Sequence, residues 1–160
     1  MNTILLASAL LLGLFSCSVA FAAPTPFPFP IPYHSFCGTL WLFAKPCAEI
    51  STKITKQIQV FSPEYMLIAA TPSTIKANHT SPDGSVQNIS FSLGPTIQSG
   101  GCSVSALSIS LGFTSLLDDG LNYCNLNKLL SASGLNTSSG FMELTTELAC
   151  LGYGTTTCKV

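Results

Sequence analysis

Two histidines are the side chains in this 160-residue chain best suited to moving protons near neutral pH, His34 and His79. His34 ends a proline-rich stretch. His79 sits on the inward parity of its segment, so the expected role is a buried, hydrogen-bonded ring. With no nucleophile beside it, it has nothing to activate. The close carboxylate pair is Asp118-Asp119, followed by Gly120-Leu121-Asn122. A calcium loop needs alternating oxygen ligands and a closing Glu, both missing here, so this reads as a turn. Glu143 and Glu147 stand four apart on an expected helix face, where they repel mildly and remain solvated. No Gly-x-Ser-x-Gly elbow, HExxH pair or P-loop occurs. Gln98-Ser99-Gly100-Gly101-Cys102 precedes a strand instead of opening a helix, so its amides do not cradle phosphate. No catalytic residue, metal site or cofactor is assigned.

The seven cysteines carry a different chemistry. Cys17 lies in the leader described below, leaving Cys37, Cys47, Cys102, Cys124, Cys150 and Cys158. An even number without a CxxC pair reads as disulfides, not zinc or redox chemistry. Spacing does not choose among the pairings; short loops favour Cys37 with Cys47 and Cys150 with Cys158.

The address agrees with oxidised cysteines. Ile4 to Phe15 is an apolar run followed by Ala20-Phe21-Ala22, the pattern of a secretory signal peptide cut after Ala22, with Ala20 and Ala23 as alternatives. Its n-region lacks Lys and Arg. The run is too short to span a bilayer, so membrane contact is expected only transiently, through the signal peptide. Leu14-Phe15-Ser16-Cys17 offers the alternative of a lipoprotein box. The polar end from Thr155 to Lys159 excludes a lipid-anchor signal. Three sequons, at Asn78, Asn88 and Asn136, fit a secreted, extracellular glycoprotein. Charge is sparse, 8% of residues with a net value of −1 and lysine as the sole strong base, which excludes a nucleic-acid surface.

The elements that must position these groups follow from periodicity. Pro24 to Tyr33 alternates prolines with other residues and is expected to be an extended arm, residues 23–36 in all. Pro46 opens a helix with Ile50, Ile54, Ile58 and Phe61 on one stripe, Glu49 near its start and Ser62-Pro63 at its stop. Tyr65 to Thr71 is apolar on both parities, as a central strand would be. Ile75, Ala77 and His79, then Ile89, Phe91 and Leu93, alternate with polar residues around Ser81-Pro82-Asp83-Gly84, predicting a hairpin whose outer face carries Asn78 and Asn88. Parity changes between Ala106 and Leu107, which predicts a β-bulge. Short helices are expected at Tyr123 to Leu130 and around Phe141, Leu144 and Leu148. The sum is an α+β domain, residues 37–160 after a 1–22 signal: one N-terminal amphipathic helix on a three- or four-stranded antiparallel sheet, with short C-terminal helices.

A helix followed by a strand meander, over about residues 46–113, resembles the cystatin-like layout shared by protease inhibitors and antimicrobial precursors. The inhibitors' Gln-x-Val-x-Gly turn is replaced here by Ser81-Pro82-Asp83-Gly84, and the one Trp, Trp41, precedes the helix instead of forming a second wedge. The segments Thr74-Ile75-Lys76-Ala77-Asn78-His79-Thr80 and Asp118 to Leu126 are similar to a group of small secreted cysteine-containing animal proteins, which implies secretion and a fold. The expected function is non-catalytic binding of an extracellular protein or apolar ligand. The alternatives are a protease inhibitor on a cystatin-like frame and a secreted hydrolase using His79 with Asp118 or Asp119.

Overall fold

Apolar residues at every second position cannot all face water, and in this chain they line one face of a single sheet. Residues 34–96, 100–112 and 118–158 are described by a computed structural model; the expected signal peptide with Cys17, and the proline-rich stretch to Tyr33, lie outside them. The elements are β1 (Phe36–Phe43), α1 (Cys47–Val60), β2 (Tyr65–Ala70), β3 (Thr74–Thr80), β4 (Val86–Pro95), β5 (Cys102–Leu111), α2 (Leu121–Ala132) and β6 (Met142–Leu144). Six strands form one antiparallel sheet in the order β2-β3-β4-β5-β1-β6.

This overturns the expected layout of an N-terminal helix on three or four strands with short C-terminal helices. A strand precedes the helix: in β1, Cys37, Thr39, Trp41 and Phe43 point inward and pair with β5 along their whole length. The expected helix around Phe141, Leu144 and Leu148 is instead the short strand β6, paired with Leu40, Trp41 and Leu42. Its helical spacing was coincidental, because Phe141 packs on Phe43 while Leu144 and Leu148 are 49% and 90% exposed. β2 is an edge strand, not a central one, and Met66 and Ile68 on it face solvent.

The expected bulge at Ala106-Leu107 is also absent. β5 keeps an unbroken register against both neighbours, so Cys102, Val104, Ala106, Ser108 and Ser110 all point inward. The bulge lies in β2, between Leu67 and Ala69.

α1 lays Ile50, Ile54 and Ile58 on the inner sheet face, where they meet Trp41, Tyr65, Ile75 and Phe91. Glu49, in its first turn, pairs with Lys45 and lies 3.9 Å from Lys53. α2 adds Leu126, Leu129 and Leu130 to the same core. It ends at Gly134, whose φ of 68° lets Leu135 donate back to the Leu130 carbonyl.

Three disulfides tie the layers together: Cys37–Cys150, Cys47–Cys102 and Cys124–Cys158. The short-loop pairings Cys37–Cys47 and Cys150–Cys158 are therefore corrected. Cys47 opens α1 and Cys102 opens β5, so their bridge pins the helix to the sheet; Cys37 and Cys150 face each other as β-bridge partners. These sequence separations of 113, 55 and 34 close longer loops than the short-loop pairings would, which removes more entropy from the unfolded chain. Replacing Cys37 and Cys150 together by Ala is expected to lower unfolding free energy by about 2–5 kcal/mol, measured from the denaturant midpoint. A non-reducing peptide map that joins Cys37 to Cys47 would contradict the assignment.

Candidate functional site

Polar side chains that a sheet turns inward must find partners, and three groups of them do so here. The first lies at the end of β5. Ser108 donates to Asn122 Oδ1 at 2.5 Å, and Asn122 Nδ2 donates to Ser110 at 3.0 Å, Ser35 at 3.3 Å and Asp118 Oδ2 at 2.5 Å. Asn122 is 1% exposed. Asp118 also accepts the Gly120 and Asn122 amides at 3.1 and 2.9 Å, so this carboxylate organises the entry to α2. Gly120 there has φ of 76°, and a β-carbon would fall 1.8 Å from the Thr156 hydroxyl, which donates to the Asp119 carbonyl. Asp118-Asp119-Gly120 is thus a turn that starts a helix, with Asp118's oxygens occupied by N–H donors.

The second group surrounds His79 and combines residues that sequence periodicity left unconnected. The buried ring in β3 stacks against Tyr65 at 4.6 Å. Its Nδ1 is 2.6 Å from Gln87 Oε1, and its Nε2 is 3.2 Å from Glu64 Oε1. Gln87 Oε1 also accepts from Ser81 and from Asn125 Nδ2, while its amide donates to Ser85. Both ring nitrogens therefore lie against side-chain oxygens of the fold. Lys128 of α2 reaches both Glu64 oxygens at 2.7 and 2.8 Å and lies 5.2 Å from the centre of the Phe61 ring. Partial burial works to raise the Glu64 carboxyl, but the bonds from Lys128 and His79 outweigh it and hold the group below the usual range. A shallow cavity of about 620 Å³ opens over Glu64, His79, Ser81, Asp83, Asn125 and Lys128.

Glu143 holds the third group, and its expected role as solvated surface is corrected. Oε1 accepts from Thr39 at 3.1 Å, Trp41 Nε1 at 3.3 Å and Thr145 at 3.0 Å, and Oε2 from the Tyr123 hydroxyl at 3.3 Å. Burial, with Glu143 nearby, pushes the Tyr123 hydroxyl well above the usual tyrosine range. Glu147 instead accepts from the Gly152 and Gly154 amides, holding the C-terminal loop.

The structure gives His79 to Gln87 and Glu64, and Asp118 to the start of α2; it does not join them as an acid–base pair. His34 Nδ1 donates to the Gly112 carbonyl at 2.6 Å. Among the described residues, no group of His, Cys, Asp and Glu is placed to hold a metal ion. Every buried side-chain nitrogen and oxygen among them has a partner.

What remains open is the outer face of the sheet. The unbroken register of β5 turns Leu107, Ile109 and Leu111 outward, beside Phe36, Leu40 and Leu42 of β1 and Met142 and Leu144 of β6. Leu40 faces Leu144 and Leu42 faces Met142 across the β1–β6 pair. Leu40, Leu111, Met142 and Leu144 are 37%, 45%, 54% and 49% exposed. The β3–β4 half of the same face is polar, with Thr74, Asn78, Thr80, Asn88, Ser90 and Ser92; Lys76 is the charged side chain on it. Sequence reasoning missed this band because an expected bulge would have turned its β5 residues inward. The polar Ser108 and Ser110 on the other parity pointed the wrong way, because both are buried against partners.

Asn122→Leu should cost at least about 2 kcal/mol in a urea titration, because it strips partners from buried hydroxyls and from Asp118. An unchanged midpoint would show that the set is dispensable. For Glu64, a carboxyl held low contributes stability above the ordinary glutamate range and loses it as pH falls through its folded value. Glu64→Gln should therefore cost less than about 1 kcal/mol at pH near 7, and the difference from wild type should close on acidification; a gap that widens instead would reverse the sign. Comparison of the chain with protein-family models and with curated proteins finds no match, so its function is argued from this geometry.

Proposed function

We propose that this protein is a secreted, N-glycosylated, non-catalytic binding protein that holds an extracellular protein against the outer face of β5, β1 and β6. The observation that carries this reading is the uncharged, largely apolar band on the face opposite the helices, where Leu111, Ile109 and Leu107 lie beside Phe36, and Leu40 and Leu42 face Leu144 and Met142 on one side and Ser105 and Ser103 on the other. Aliphatic side chains left in water cost about 25 cal/mol per Å², so a broad exposed band marks a surface that gains by association. An open sheet face selects the class of partner. Small ligands favour concave, enclosing pockets, whereas an open sheet face matches another protein surface.

Supporting the address, three intramolecular disulfides are compatible with an extracellular protein, since reducing compartments keep thiols free. The run from Ile4 to Phe15 with Ala20-Phe21-Ala22 supports export, and Asn88 and Asn136 are exposed sequons. The chemistry of the polar groups supports binding over catalysis, because His79, Asp118 and Glu143 spend their hydrogen-bonding capacity on the fold.

The reading is tested by secreting the full chain and a Leu40→Lys/Leu144→Lys variant, then comparing what each retains from extracellular fluid. Both should fold, since lysine's aliphatic stem can replace the half-covered leucines with its ammonium in water, and a protein retained by wild type should be lost from the variant. Equal retention by both would remove the band as the binding surface. Intact mass of the medium should show a chain starting near Ala23 with no free thiols; a cell-retained chain keeping residues 1–22 would overturn the address.

A further inference from the structure

Two of the three sequons occupy one place. Asn78 in β3 and Asn88 in β4 are direct partners in the antiparallel register, on the outer face of the sheet. Opposed residues in such a pair have α-carbons about 4.5–5.5 Å apart, so glycans rooted on both would leave the sheet through the same space. The two sites are not equivalent. Asn88 is exposed, whereas Asn78 is half-buried, with Met66 its partner on the β2 side and Asn88 on the other. Beside Asn88 a cavity of about 360 Å³ runs over Ile68, Lys76, Asn78, Leu107 and Ile109.

We propose that the β3–β4 hairpin carries one N-glycan, on Asn88, and that Asn78 stays unmodified in the folded chain. This inference rests on the secretory reading above and deepens it. Transfer acts on extended chain before the sheet closes, so selection between the sites operates at folding. A glycan on Asn78 requires that half-buried amide to swing out between Met66 and Asn88. A chain modified at both positions must fit two branched sugars over one strand pair, and it folds poorly and is retained. A sugar on Asn88 meets no such obstacle. Its first residues lie over the cavity beside Leu107 and Ile109 and cover part of their apolar surface. The glycan therefore fences the binding band, leaving the β1 and β6 side free and closing the β3 and β4 side.

The chain offers a direct test. Lysines at 76 and 128 bound one tryptic peptide, residues 77–128, that contains both Asn78 and Asn88, while Asn136 falls on another. The full chain is expressed in a secretory cell, and the medium is reduced, digested and deglycosylated with isotope labelling of each formerly modified Asn. The 77–128 peptide should carry one label, at Asn88, with doubly labelled peptide confined to the cell fraction. Thr80→Ala, which deletes the Asn78 sequon, should leave the secreted mass lower by no glycan, and Ser90→Ala should remove one. Secreted peptide labelled at both positions, or at Asn78 alone, overturns the inference while a label on Asn136 keeps the secretory reading intact. Absence of label at Asn88 and Asn136 alike brings down both.

Discussion

The hydrogen bonds of Asn122 decide which way β5 faces, and most of what is distinctive in the fold follows from that. A strand with apolar residues of both parities has two ways to meet a core. The greasier choice for the second half of β5 would put Leu107, Ile109 and Leu111 inside. That choice would need a bulge and would take Ser108 and Ser110 away from the buried Asn122 and Ser35. The chain instead buries the serines, which is tolerable because Asn122 and Ser35 satisfy them and Asp118 in turn holds Asn122. A buried polar set of this kind is stable only when every member is paired, and here it ties β5 to the start of α2.

The cost of that arrangement appears on the opposite side. Three aliphatic side chains of β5 are turned toward water, where they join those of β1 and β6 in a single band. The inner face is covered by Ile50, Ile54 and Ile58 of α1 and by Leu126, Leu129 and Leu130 of α2. Both helices lie on one side, so the outer face has to manage its own exposure. It does so unevenly: hydroxyls and amides over β3, β4 and the first half of β5, and hydrocarbon over the second half of β5, β1 and β6. The disulfides serve the same geometry, for Cys37–Cys150 ties β1, which lies between β5 and β6 although it comes first in the described chain, to the segment after β6.

Local pattern made some elements legible and not others. The stripe of Ile50, Ile54 and Ile58 identifies α1, and the strict alternation around Ser81 to Gly84 identifies the β3–β4 hairpin, because each segment meets the core with one face only. β1 escaped notice since Phe36 to Phe43 is apolar on both parities and has no turn signal of its own kind. β6 was misread because three residues cannot establish a period. β2 was misplaced because hydrophobicity on two faces does not distinguish a covered strand from an edge that simply exposes Met66 and Ile68. Within the polar groups, the inward parity of His79 was readable, but Glu64 and Lys128, which lie far from it in the chain, were not.

Composition and periodicity alone determined the cysteine chemistry, the amphipathic helix and the faces of the central hairpin, all of which depend on neighbours a few residues apart. Tertiary structure decided the cysteine pairing, the parity of β5, the six-strand order and the opposition of Asn78 to Asn88. Each of these is a contact between residues distant in sequence, chosen by which buried groups satisfy one another, and no local period encodes that choice.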